Sequence, residues 1–357
     1  MKFSLFFFDG DGSSVGTDHY RLLQDSARFA DREGFVAVWT PERHFHAFGG
    51  LYPNPALTAA ALAMITENLQ LRAGSVVLPL HHPVRVAEDW ALVDNLSGGR
   101  VAMAAATGWT MDEFILSSEP HGSRRGLMWR SLEEVQRLWR GEEVEFEDAA
   151  GRLVGARTLP RPIQAELPLW ITCQSTETFV EAGRIGANIL TSVLGETLED
   201  VAEKIAKYRA ARSAAGHDVE SGCVSLMMHA FLGEDEEKVK RDIREPFREY
   251  LKTHYGLLES LAKGMGLDVG LDDFSDDDLS AVLDFGVEGF MRRRSLIGTP
   301  EGCLSFVREM ESLGIDEICC LIDFVQDYDV VMASLPHLAE LKTRVEAGEG
   351  SVPQDVA

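Results

Sequence analysis

Short apolar or β-branched runs alternate along this chain with longer amphipathic ones, and that alternation limits the possible folds more than any other feature. A strand covered on both faces reads as a continuous apolar run, and a surface helix as an apolar stripe with a 3.6-residue period. Repeated in turn, the two give βα units and a parallel sheet. Candidate strands fall at residues 2–8, 35–39, 70–78, 100–106, 168–173, 187–192, 222–230 and 316–322, eight in all. Helical patterns occupy most of the gaps: Tyr20 to Arg32, Pro55 to Thr66, Val84 to Leu96, Ser131 to Trp139, Thr176 to Ile185, Leu198 to Ala214 and Glu301 to Leu313. Gly34, Gly186 and Gly314 follow helical segments, where a left-handed C-cap favours glycine. At 357 residues the chain holds one barrel with insertions as readily as two small domains, so length alone does not choose.

Two stretches break the rhythm. Residues 141–167 read as an extended insertion before the fifth strand, and residues 240–297 as a long helical, acidic insertion before the last βα unit. In a barrel such insertions belong at the C-terminal ends of the strands, which makes both candidate lids or channel walls. The run Asp272-Asp273 and Asp276-Asp277-Asp278 reads as a solvated helix start or loop.

The 58 acidic residues outnumber the 34 basic ones, for a net charge of −24, with no basic block to offset it. Nucleic acid and anionic membranes are therefore poor partners, because both need a basic surface. The apolar start, Phe3 to Phe8, is ended by Asp9 and Asp11 without a cleavage site and reads as a buried strand. No stretch is long and apolar enough to span a bilayer. The five cysteines have neither disulfide-framework nor metal-ligand spacing, which suggests a cytoplasmic protein.

Chemistry-bearing residues gather where strands end. The second strand runs into Glu42-Arg43-His44-Phe45, placing a carboxylate, a guanidinium and a titrating imidazole at one mouth; a surface Glu42–Arg43 pair is the competing reading. The third ends in His81-His82, whose adjacency does not make a facing pair of metal ligands, and no other metal cluster is evident. The fourth leads through Ala104-Ala105-Ala106 to Thr107-Gly108-Trp109, where small side chains leave room for a flat ring or simply allow tight packing. After the fifth come Gln174-Ser175-Thr176-Glu177-Thr178, hydroxyls opening a helix, which suit a phosphate or serve as ordinary N-caps. Asp9 to Ser14 fails as a calcium loop, and Gly10, Gly12 and Gly16 miss the dinucleotide fingerprint.

Taken in order, several segments resemble the bacterial-luciferase-like FMN-dependent monooxygenase family. They are Gly34-Phe35 to Trp39, Glu42 to Phe45, Ala73 to Pro79, His82-Pro83-Val84-Arg85-Val86-Ala87-Glu88-Asp89, Leu96-Ser97-Gly98-Gly99-Arg100, Gly108-Trp109, Gly298-Thr299-Pro300-Glu301 and Gly314 to Glu317. The finer texture is similar to the branch found beside polyketide and nonribosomal-peptide assembly lines. The resemblance implies an α/β fold, a (β/α)8 TIM barrel over residues 1–347, with a flexible tail at 348–357. It implies FMN bound over strands three and four, with Gly74 and Ser75 at a non-prolyl cis peptide beneath the ring, and Ala106 and Thr107 at its edge. Gln174, Ser175, Thr176 and Thr178 would lie near the flavin phosphate, and His44 and His82 would be active-site histidines. Luciferase itself carries a histidine where this chain has Arg43, a cysteine at Ala106 and a phosphate-contacting arginine at Thr107, so light emission is not expected.

The implied reaction is oxygenation of an organic substrate by reduced FMN and O2 through a C4a-hydroperoxide. His44, with Glu42 as partner, would manage protons, and Arg43 would stabilise an anion. The chain lacks a dinucleotide motif, so a separate NAD(P)H:flavin reductase would supply the reduced FMN. A carrier-protein-tethered substrate and a homodimer are further expectations of the resemblance. Rival readings are an F420-dependent oxidoreductase of the same fold, a non-enzymatic flavin-binding paralogue, and an unrelated barrel enzyme acting on a phosphorylated metabolite.

Overall fold

The computed structural model describes residues 1–8, 19–193, 196–253, 276–293 and 295–350. Among them, eight parallel strands form the expected barrel: β1 (Lys2–Phe6), β2 (Ala37–Thr40), β3 (Gln70–Val77), β4 (Val101–Ala106), β5 (Leu169–Thr172), β6 (Asn188–Ser192), β7 (Val224–Leu232) and β8 (Glu317–Leu321). Each pairs with the next in chain order, and β8 returns to β1 with Lys2 opposite Glu317 and Phe6 opposite Leu321, which closes the sheet. All eight lie within two residues of their expected ends.

Helices α1 (Arg21–Arg32), α2 (Pro55–Ala63), α3 (Pro83–Ser97), α4 (Arg124–Arg140), α5 (Thr176–Arg184) and α6 (Leu198–Ala214) follow the first six strands. After β7 come α7 (Glu236–Thr253), α8 (Asp276–Arg293), a short strand Ser295–Gly298 paired with β7, and α9 (Pro300–Ser312). A last helix, α10 (Tyr328–Glu346), absent from the expected helical segments, follows β8, and Pro336 interrupts its period. Gly34, Gly186 and Gly314 have φ of 72°, 74° and 87°, the left-handed conformation their positions predict.

The first insertion differs from expectation. It joins α4 to β5, so it leaves from the N-terminal end of the barrel. There Gln164 bonds Asp94 and the Val101 carbonyl, and Asn95 donates to the Arg161 carbonyl. Its hairpin, Val144–Glu147 against Leu153–Ala156, lies along the outside, with Val144 packed on Ala87 and Leu138. It is an outer brace and no lid. The second insertion does stand at the C-terminal end: Tyr250 of α7 meets Phe48 of the loop after β2 at 5.9 Å and Phe324 beyond β8 at 6.5 Å. Asp276-Asp277-Asp278 open α8. Asp272-Asp273, the segment Asp9 to Ser14, Gly16 and the tail beyond 350 lie outside the described residues.

Polar groups fill the lower barrel, which the sequence reading did not foresee. The Glu317 carboxylate is wholly buried and pairs with the Arg72 guanidinium at 2.8 Å, while Ser4, Trp39 and Ser225 donate to it as well. Gln70 accepts from the other guanidinium edge, and the rings of Trp39 and Trp170 lie 4.8 and 4.4 Å from the Arg72 carbon. Burial raises the pKa of Glu317, but the charge of Arg72 and the donated hydrogen bonds outweigh it and hold the carboxyl below its usual range.

Candidate active site

Directly above that plug, Gly74 crosses the barrel wall. A Cβ there would stand 2.8 Å from the Phe6 ring and 3.1 Å from Trp39, so only glycine lets β3 pass. The Gly74–Ser75 peptide is cis, as the resemblance implies. The Ser75 hydroxyl reaches past β4 to that of Thr172 on β5, at 2.5 Å. Between them, β4 contributes only Ala104, Ala105 and Ala106, with Ala105 opposite Val76 and Ala106 opposite Val77. The result is a floor with little side-chain bulk, and Thr107 continues it at the rim.

One wall comes from the ends of β2 and β3. Glu42 is buried and accepts three hydrogen bonds: His44 Nε2 at 2.9 Å and His81 Nε2 at 2.6 Å on the same oxygen, Oε1, and the Val77 amide at 2.8 Å on the other. Burial alone would raise its pKa; the two imidazoles and the amide more than reverse that and keep it ionised. For His81, burial opposes the charge, yet Glu42 and, further off, Asp89 hold the pKa above the ordinary histidine value.

His82 stands outside this group. It is exposed at the start of α3, where its Nδ1 accepts from the Val84 amide, and its ring lies 4.9 Å from Phe146 of the outer hairpin. The histidine that faces Glu42 is the preceding one, because one step in the chain at the helix entry turns a side chain to the opposite side.

Arg43 is also buried. Its Nη1 donates to Thr110 at 3.0 Å and lies 3.7 Å from the buried Glu113, and its guanidinium carbon stands 4.4 Å from the ring of Trp109. Burial pulls its pKa down against the charge of Glu113, from a starting value so high that the guanidinium stays charged. Glu113 further accepts from the His44 amide at 3.2 Å, while Phe45 takes a left-handed φ of 63°. That conformation costs an aromatic residue about 1–2 kcal/mol. The surface Glu42–Arg43 pair considered from sequence does not form; the two side chains have separate partners.

On the other side of β4, the end of β5 carries an anion-binding cradle. Ser175 caps α5 and accepts from the Thr178 amide, with the two hydroxyls 3.1 Å apart. The exposed Arg125, in the first turn of α4, donates to both hydroxyls, at 3.3 and 3.0 Å. A helix start with two hydroxyls and a guanidinium suits a phosphate monoester. Thr176 opens the helix. Gln174 turns its side chain to Ser192 at 2.8 Å and offers its carbonyl to Lys204. Burial pushes the neighbouring Cys173 thiol well up, so it is no nucleophile. Among the described residues no group of three His, Cys, Asp or Glu side chains is arranged to hold a metal ion.

His81, Arg125 and Glu113 escaped the sequence reading. His81 was visible as half of a histidine pair, but nothing in the sequence told which half faced inward. Arg125 lies fifty positions before Ser175, and only the barrel's closure brings them together.

The sequence model of the luciferase-like monooxygenase family matches residues 1–317. The chain belongs to that family. This luciferase-like monooxygenase is 25% identical over 345 residues to the oxygenase component of the flavin-dependent trigonelline monooxygenase of Acinetobacter baylyi, covering 95% of this chain and 93% of that one. Its fold is shared by the oxygenating constituent of 3,6-diketocamphane monooxygenase from Pseudomonas putida, solved in complex with FMN, at a TM-score of 0.78 and 19% identity over 99% of this chain and all of that one. An F420-dependent secondary alcohol dehydrogenase has the same fold, with a TM-score of 0.68 and 16% identity, over 95% and 97% of the two chains. The family is one of flavin-dependent oxidoreductases, and among the described residues no helix is long and apolar enough to cross a membrane.

Proposed function

We propose that this luciferase-like monooxygenase binds reduced FMN across the barrel mouth and oxygenates an organic substrate held against Glu42, Arg43 and His44. The observation that carries the reading is that two polar groups flank the small-residue end of β4: an imidazole–carboxylate set at the ends of β2 and β3 on one side and a guanidinium–hydroxyl cradle after β5 on the other. The donor set fits the flavin's phosphate. Ser175, Thr176, Thr178 and Arg125 would hold it, with the Gln174 turn fixed by Lys204, and Gly74, Ser75, Ala106 and Thr107 would pass beneath and beside the ring.

When bound, reduced FMN would supply the electrons that activate O2. The chain's own residues do the rest. Glu42, ionised and with both oxygens engaged, fixes the Nε2–H of His44 towards itself and leaves Nδ1 to take or give a proton at the reacting group. Arg43, clamped by Glu113, Thr110 and Trp109, holds a fixed positive charge beside it. His82 has no place in this mechanism.

Arg125→Ala is expected to weaken FMN binding about 10- to 100-fold, since a charge-assisted hydrogen bond contributes about 1.5–3 kcal/mol. The folded protein's melting temperature should not move, because Arg125 is exposed. Fluorescence titration reads the loss, and an unchanged Kd would move the phosphate elsewhere.

The relative named an oxygenase component, together with the lack of a dinucleotide motif, supports a separate flavin reductase; rapid NADH oxidation by the purified protein alone would sink it. Adjacent helices α2 and α3, with the residue that ends α2, expose the apolar side chains Leu57, Met64, Leu92 and Leu96, which a second copy would cover in a homodimer; a monomer mass in sedimentation contradicts this. Free cysteines support a cytoplasmic location, which imaging of the tagged protein checks. The substrate is a small molecule or a carrier-protein-tethered biosynthetic intermediate; turnover of neither class with reduced FMN would refute that. The second reading, F420-dependent hydride transfer, is favoured by the shared fold of the F420-dependent dehydrogenase. Tighter binding of F420 than of FMN would select it.

A further inference from the structure

Glu42 serves two imidazoles through one atom. His44 and His81 both reach Oε1 with Nε2, while Oε2 is occupied by the Val77 amide. An ionised carboxylate only accepts, so each ring presents Nε2–H to it and keeps Nδ1 as the place where a further proton enters or leaves. One carboxylate compensates one imidazolium. A second positive charge on the other ring, bonded to the same oxygen, meets its like at close range with no additional anion between them.

The two rings differ in exposure. The His44 side chain is 13% exposed and lies within the wall, whereas that of His81 is 32% exposed. Other charges near His81 are already paired: Asp89 of α3 accepts from Arg85 at 2.7 Å. Asp89 also adds negative charge, Glu113 in the turn after β4 is tied to Arg43, and α4, which packs on the turn before His81, carries Arg124, directed to the His121 carbonyl, and Arg125, directed to Ser175 and Thr178. His82 is turned away.

We propose that His81 and His44 are a counter-titrating pair on Glu42. When His44 takes a proton at Nδ1 from the reacting group, His81 gives one up from its own Nδ1 to solvent, and the reverse transfer recharges it. One proton enters the set and one leaves, and the charge of the set is unchanged throughout. His81 is thus a positioning residue for charge, acting on the reaction through Glu42. The inference rests on the reading of His44 as the proton-transfer group.

The test uses the full chain, with and without FMN, labelled with 15N in the imidazole rings. Signals are assigned from His44→Gln and His81→Gln, each of which keeps a donor for Glu42 but cannot ionise. In the wild type, His81 is expected to titrate in two partial steps. In H44Q it should titrate in one step, with a midpoint higher by about one pH unit once the competing charge is gone. In H81Q, with the melting temperature retained, the pH profile of product formation should shift and lose one ionisation. A His81 titration identical in wild type and H44Q overturns the pair, as does an H81Q profile superimposable on the wild type. If H44Q instead forms product at the wild-type rate while His81 still responds, the pair stands and the catalytic reading of His44 fails.

Discussion

Arg72→Met is expected to destabilise the protein by about 3–5 kcal/mol, because it leaves the wholly buried Glu317 carboxylate without its cation. At about 2–4 °C per kcal/mol for a large domain, the melting temperature should fall by roughly 10 °C. The double variant Arg72→Met with Glu317→Leu should recover much of the loss, since the desolvation of both charges disappears together with their attraction. The pair also has a pH signature. Glu317 has a depressed pKa in the folded state, so its contribution is present above the ordinary glutamate value and is lost as pH falls through the depressed one. The R72M deficit should therefore shrink in acid. Thermal melts at neutral and acid pH check both points, and an unshifted melting temperature for R72M contradicts the role given to the plug.

His44→Ala is expected to reduce product formation about 10²- to 10⁴-fold, the range for removing a positioned acid–base group. FMN binding should be unaffected, because the phosphate cradle and the floor stand on β3, β4 and β5 with α4 and α5. Single-turnover measurements with pre-reduced FMN separate the two, since the flavin is then already loaded and reduced. Product within tenfold of the wild type would leave His44 a structural ligand of Glu42. His82→Ala, at an exposed helix start facing the hairpin, should retain nearly full activity.

The strands were legible because each barrel strand is covered on both faces and so reads as an unbroken apolar run. Helices with an apolar stripe and a terminal glycine were equally plain. The first turns of α4 were not: Arg124-Arg125-Gly126 carries neither a capping side chain nor a stripe, and the turn is held by tertiary contacts. The first insertion follows a helix and precedes a strand, which places it at the N-terminal end of the barrel; the expectation of a lid applied to it a rule that holds only for loops that follow strands. At the site, the strand-end position announced Glu42, Arg43 and His44. Their partners lie far away in sequence or on an undecided face. Arg72 and Glu317 sit 245 positions apart in two apolar strands, where each reads as a lone exception. Pairing across a closed barrel is a long-range property, and no local period encodes it.

The central claim is most directly tested by anaerobic titration of the purified protein with reduced FMN and with reduced F420, followed by admission of O2 with a candidate acyl or carrier-bound substrate. The expected result is tight binding of reduced FMN, weakened in Arg125→Ala, and one atom of 18O2 incorporated into product in the wild type but scarcely in His44→Ala. Binding of F420 in preference to FMN, with no incorporation of oxygen from any substrate offered, would contradict it.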